Sequence, residues 1–392
     1  GGFQWEKDSN GKPWIAISCQ GEGGKIYFPC KDHPSDEPDE GADMIITVPK
    51  GLVVAGPGLL QKTTNRGNKS TWHWKTSYPI SNYCLVFNVG DYTVVKKEYL
   101  TVNNNRVPME YYVLKENEGK AAHHLTLFEN SARVLEKYFG EYPWVKEKMA
   151  IAETPHLGME HQTMNAYGNK YRYTKVGGQD FDWLMHHEFG HEWWANKVTN
   201  RDWAHMWIQE GICSFGDAMY FREYEGEESY LRRMQKTAIN TQNKLPIVRG
   251  EDGIDGATAY HGDIYGKGAF FMHTLRYIMG DEIFFPTLKK LATDPQYTYL
   301  NTVTTDDVDK LFSSAYGKTL TPVFNLFLRT PNKLEILVKQ TDNNKFKITL
   351  ANIDMQLPLD IITDKGRTKI LADSKGTEIA SATPPVIDPD VY

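Results

Sequence analysis

Two histidines four residues apart, His187 and His191, enclose Glu188, Phe189 and Gly190. On a helix such positions share a face, so both imidazoles turn toward one point while Glu188, about 100° round the axis, stands beside it. The pattern suits a metal-activated hydrolysis, in which imidazoles hold a cation such as zinc and an adjacent carboxylate moves protons. Such a centre needs a third protein ligand and an open position for water. Glu210 is the candidate, with residues 192–209, eighteen in number, between it and His191. That length lets the first helix end, a connection pass through Val198 to Asp202, and a second helix return past the metal. Ile208, Ile212, Phe215 and Met219 form the apolar stripe of the second helix, which makes Glu210 an acid in apolar surroundings. An unpaired buried carboxylate is costly, and a metal removes that cost. Zinc brings a bound water to a pKa of about 7, and Glu188 is placed to take its proton and pass it to a leaving amine.

His187, Glu188, His191 and Glu210 at this spacing resemble the gluzincin aminopeptidases, the family of aminopeptidase N and leukotriene hydrolase. Gly158-Met159-Glu160-His161 occupies the place of the family's G-x-M-E-N motif. Trp193, Asn196, Val198 and Thr199 are similar to the family's residues after the second histidine, as are Trp203, Trp207 and Gly211 around the third ligand. Tyr265-Gly266-Lys267-Gly268-Ala269 looks like its Y-x-K-G-A, with Ala259-Tyr260 just before. Ser18-Cys19-Gln20, Phe28-Pro29-Cys30-Lys31-Asp32 and Val48-Pro49-Lys50-Gly51 are similar to the second half of the family's N-terminal β domain.

The resemblance implies one Zn2+ per chain and peptide substrates with a free N-terminus. It selects Tyr265 as the donor to the oxyanion. Recognition of a free α-ammonium calls for a carboxylate at the end of the pocket, which also blocks longer extensions; Glu160 is the candidate, flanked by Gly158 and Met159. By resemblance Gln20 assists near the same amine or the first carbonyl. For Tyr260 a packed aromatic and a substrate contact remain equal alternatives.

The chain departs from the family at Leu157 (a Gly), His161 (an Asn), Ala195 (a Gly) and Gln209 (an Asn). Leu157 and His161 flank the amine-binding carboxylate, so they bear on side-chain preference. Against the resemblance, the expectation is that these 392 residues hold only the second half of the N-terminal β domain and none of the helical domain that many relatives have. The expectation is an N-terminally truncated member, its abundance of Asn, Lys, Tyr and Thr suggesting a bacterial one. A thermolysin-like endopeptidase is the competing reading, but it has no use for the Gly158–Glu160 segment. A non-catalytic scaffold is the other, and such proteins typically lose the base or a ligand.

The elements that must position these residues follow from periodicity. Residues 1–90 alternate in short runs (Ile15–Ile17, Ile45–Val48, Cys84–Val89) between Gly, Pro and Asn clusters, which predicts antiparallel strands, with Pro29–Pro38 a solvated loop. Leu125, Phe128, Ala132, Leu135 and Phe139 predict a helix within 120–140, and amphipathic runs predict helices over 180–197, 205–224, 227–243, 258–279 and 304–315. Alternation returns after Pro331. The fold expected is α+β and multidomain: 1–90, the C-terminal part of an incomplete N-terminal β domain; 91–330, a thermolysin-like catalytic domain; and 331–392, a small β-sandwich.

The 392 residues carry a net charge of −6 without long blocks of one sign, which gives no reason to expect nucleic acid or anionic lipid as a partner. No apolar run approaches the 18 or so residues of a membrane span. Four scattered cysteines make no disulfide framework. No targeting signal is visible, and residue 1 reads as a cut.

Overall fold

The computed structural model describes residues 2–250 and 252–392. Strands Gly2–Lys7, Pro13–Ser18, Asn88–Gly90 and Val53–Ala55 pair in that order, and Asp43–Pro49, Lys69–Lys75 and Leu59–Arg66 form a second antiparallel sheet. A five-stranded mixed sheet follows in the order Gly158–Met159, Asn165–Tyr167, Met149–Glu153, Arg106–Leu114, Tyr92–Leu100. Its central strand Met149–Glu153 is parallel to both neighbours, and the outer pairs are antiparallel. Gly158–Met159 is therefore an edge strand with one row of backbone groups unpaired in the sheet, and it borders the helices that carry the histidines.

The helices of the described residues are α1 (Ala121–Phe139), α2 (Trp183–Gly190), which carries His187 and ends at His191, α3 (Trp207–Glu225), α4 (Glu227–Asn240), α5 (Gly256–Ala259), α6 (Asp263–Met279), α7 (Asp281–Thr293), α8 (Thr305–Tyr316) and α9 (Thr321–Arg329). The apolar spacing of α1 does what it predicts: Leu125, Phe128, Ala132, Leu135 and Phe139 are all buried. Asp182 starts α2 by accepting the Met185 amide at 3.3 Å, and Thr304 with Asp307 forms a reciprocal capping box at the start of α8. The chain ends in two three-stranded sheets, Ile336–Asp342, Lys345–Leu350, Thr377–Ala380 and Gly366–Ala372, Leu357–Thr363, Val386–Ile387. One continuous apolar core joins the five-stranded sheet, the helices and inner residues of these last sheets such as Ile348 and Ile361. The class is α+β, as expected.

Local expectations fail for identifiable reasons. The helix expected over 180–197 stops at Gly190; beyond it the chain turns tightly, with Ala195 at φ +124°, and brings the Trp194 carbonyl back to His191. The helix expected over 258–279 is broken between α5 and α6, which lets the Tyr260 and Tyr265 hydroxyls meet at 3.3 Å. Cys84–Val89 is not one strand: residues 82–84 form a 3-10 turn and pairing begins at Asn88, because Cys84 and Val86 are buried on all sides rather than on one face. Pro29–Pro38 has no regular structure, but it is not simply solvated: Asp32 accepts the amides of Gly23 and Gly24, and Asp36 and the Lys31 carbonyl accept from Asn82. Pro322 lies in the first turn of α9, which has no use for its missing N–H.

Candidate metal centre and active site

The donor cluster is built by α2, the residue that ends it, and α3. Glu210 Oε2 lies 3.6 Å from His187 Nε2 and 3.3 Å from His191 Nε2. The opposite ring nitrogens are held from behind, His187 Nδ1 by Asp217 Oδ2 at 3.0 Å and His191 Nδ1 by the Trp194 carbonyl at 2.8 Å. These contacts fix both rings with Nε2 facing Glu210, the arrangement a metal-binding histidine needs. Glu210 is 1% exposed, its Oε1 accepts the Gln20 amide at 3.2 Å, and its Oε2 has no hydrogen-bond partner among the described residues. A buried carboxylate oxygen without a donor, aimed at two imidazoles, is the deficiency that a divalent cation cures, so the residues fit zinc. Electrostatics agree. Burial pushes the Glu210 carboxyl up, but the imidazoles outweigh it and bring it down to about 2. Burial opposes charge on His187 as well, yet Asp217 and Glu210 hold its imidazolium well above the ordinary range. The pocket is built for positive charge between these groups.

Close helix packing sets this geometry. A Cβ on Gly211 would lie 2.7 Å from the Gly268 Cα, so these glycines let α3 and α6 approach backbone to backbone. Glu210 and Tyr265 are delivered by that approach; the Tyr265 ring stacks near His187 with centroids 6.0 Å apart. Burial drives the Tyr265 phenol far above its ordinary pKa, which keeps it a donor.

Glu188 faces the edge strand. A Cβ on Gly158 would fall 2.6 Å from Glu188 Oε1, so glycine there is the condition for strand and carboxylate to be neighbours. Burial pushes the Glu188 carboxyl up to about 8, although the His187 charge pulls against it. Glu160, just past the edge strand, is 2% exposed; Tyr83 donates to its Oε1 at 3.0 Å and Gln209 Nε2 at 3.2 Å, and Asn196 holds its carbonyl at 2.8 Å. Among the described residues no hydrogen bond reaches Glu160 Oε2. Gln20 is occupied by Glu210, one atom from the donor cluster, and Tyr260 is 46% exposed at the mouth. Gln20, Gly158, Met159, Glu160, His187, Glu188, His191, Glu210, Tyr260 and Tyr265 all line one cavity of about 340 Å³.

Several functional neighbours escaped the sequence reading. Asp217 had a signal, since it stands seven residues after Glu210 on the same helix face. Glu192 accepts from Thr163 N, Trp144 Nε1, Asn165 Nδ2 and Asn196 Nδ2 and ties the segment after Glu160 to the end of α2; a single buried acid beside a histidine gave no such hint. Tyr83 arrives through tertiary structure alone.

The Peptidase family M1 domain matches residues 125–327, just over half of the chain. The chain belongs to peptidase family M1. Within M1, it is 25% identical to mouse aminopeptidase B over 297 residues, covering 72% of this chain and 43% of that protein. It is 26% identical to aminopeptidase N of Escherichia coli (strain K12) over 235 residues, covering 54% of this chain and 26% of the other. This M1 chain thus spans less than half the length of these curated relatives. Among solved structures, Legionella pneumophila aminopeptidase A in complex with aspartic acid superposes with a TM-score of 0.80 at 18% identity, covering 98% of this chain and 47% of that one. A mutant of the Deinococcus radiodurans M1 zinc metallopeptidase bound to a Tyr-Ser-Ala substrate gives 0.68 at 21%, covering 84% and 72%. At such identities these structures speak for the fold, which is that of the multidomain M1 enzymes.

Proposed function

We propose that this M1 chain is a zinc-dependent aminopeptidase, with His187, His191 and Glu210 as zinc ligands. The observation that carries the reading is the orphaned Glu210 Oε2 between two oriented imidazoles, in one cavity with Glu188 and Glu160. Zinc bound there supplies Lewis-acid polarisation and a nucleophile at neutral pH. Glu160 Oε2 receives the substrate's α-ammonium while Tyr83 and Gln209 hold Oε1, and this carboxylate at the cavity wall stops longer N-terminal extensions. Gly158 and Met159 run beside the substrate backbone as an unpaired edge. Glu188 takes a proton from the attacking water and returns it to the leaving nitrogen. Tyr265 donates its phenol hydrogen to the substrate oxygen that gains charge. Gln20 steadies Glu210, and Tyr260 orients Tyr265 and borders the first side chain.

The division into 1–90, 91–330 and 331–392 belongs to the same proposal. In its support, each sheet of the described residues draws its strands from one of these ranges, and α1 to α9 fall within the middle one. Among the described residues no helix is long and apolar enough to cross a membrane.

The test pairs metal content with turnover on a leucyl anilide. Glu188→Gln is expected to retain one zinc per chain and lose about 10²- to 10⁴-fold in kcat, the usual contribution of a positioned acid–base group. Near-normal turnover in zinc-loaded Glu188→Gln would overturn the mechanism.

A further inference from the structure

The cavity that holds the donor cluster continues. A second cavity of about 330 Å³ shares Ser214, Asp217, Arg233 and Tyr265 with the first and runs along α4 to Lys236 and Asn240. Glu160 and the edge strand line only the first cavity. A peptide held by its ammonium at Glu160, with its first carbonyl at the donor cluster, leads its remaining residues past Tyr265 into the second.

The charges there lack partners. Arg232 is occupied by Glu228 at 2.6 Å, whereas among the described residues no carboxylate lies within ion-pair distance of Arg233 or Lys236. Arg233 packs its guanidinium against the Phe221 ring at 5.2 Å, a contact that orients the plane without using its N–H donors. The acids of the same wall face other groups: Asp263 accepts the amides of Gln242 and Asn243 at 2.9 and 2.6 Å, and Asp217 holds His187. A planar fork of free donors at the wall of a concave polar cavity matches a carboxylate.

Resting on the aminopeptidase reading, we propose that Arg233, with Lys236 beyond it, binds the free C-terminal carboxylate of short peptides. The site thereby selects short peptides at both ends.

The experiment compares kcat/KM for Ala-Ala-Ala, its C-terminal amide, and Ala-Asp-Ala amide, with alanyl anilide run alongside on the zinc-loaded enzyme. The free acid is expected to be preferred over its amide by about 10- to 100-fold, the usual range for a hydrogen-bonded charge. Arg233→Gln should collapse that ratio toward one, Arg233→Lys should keep part of it, and Lys236→Gln should lower it less. A ratio near one in the wild type, or one untouched by Arg233→Gln, overturns the assignment. Restoration of the advantage by the aspartyl amide would place a side-chain carboxylate at Arg233 and overturn the terminal one. Failure to cleave the anilide would instead sink the aminopeptidase reading itself.

Discussion

Asp217 Oδ2 lies 3.0 Å from His187 Nδ1, and it reaches that position from the helix that carries Glu210, two turns farther on. One face of α3 thus provides both a donor to the cluster and the acceptor that aims a second donor. Replacing such an outer partner typically costs about 10- to 100-fold in metal affinity. Asp217→Asn should weaken zinc by that factor in competition with a chromogenic chelator while the fold survives. An unchanged dissociation constant would mean that Asp217 does not set the ring.

Gly158 separates activity from stability. An added Cβ meets Glu188 Oε1 at 2.6 Å and Leu184 Cδ1 at 2.7 Å, both ends of movable side chains. Gly158→Ala should therefore lower kcat by about 100-fold, the usual effect of a 1 Å misplacement, with little change in melting temperature. Loss of folding with normal specific activity in the remainder would contradict this.

Ala195 sits at φ +124°, a conformation that suits glycine. Releasing strain of about 1–3 kcal/mol outweighs the roughly 0.4–1 kcal/mol by which glycine loosens the unfolded chain. Ala195→Gly should raise the urea midpoint; a lowered midpoint would show that the turn carries no strain.

Glu37 supplies a pH signature outside the donor cluster. Its Oε1 accepts the Thr199 hydroxyl at 2.7 Å, and burial pushes its carboxyl up from 4.5 to about 8. Folding therefore favours the protonated form. Its contribution is complete below about pH 4.5 and is lost as pH rises through about 8. Between pH 5 and 9 the wild type should lose more stability than Glu37→Gln in urea titrations. Parallel curves would contradict the assignment.

What the sequence made legible is what periodicity and chemical anomaly can carry. His187 and His191 are four apart on a helix, and Glu210 is an acid among apolar residues, so the cluster follows from spacing and residue type. Glu160, Gln20 and Tyr265 carry no such mark and were selected only by resemblance. Asp217 was within reach of the seven-residue spacing. Tyr83, Glu192 and Arg233 were not, because their significance lies in contacts between distant segments. The same limit explains Cys84–Val89, whose apolar run reflects burial on all sides, and Ala195, whose strained turn ends α2 earlier than its apolar composition suggests.

The proposed reading of a free amine by Glu160 beside the donor cluster is tested most directly by kcat/KM of the zinc-loaded protein on alanyl anilide and its N-acetylated counterpart, in wild type and Glu160→Ala. Cleavage of the free amine alone is expected, with a loss of that preference in the variant. Equal cleavage of both substrates by the wild type, or an undiminished preference in Glu160→Ala, would contradict it.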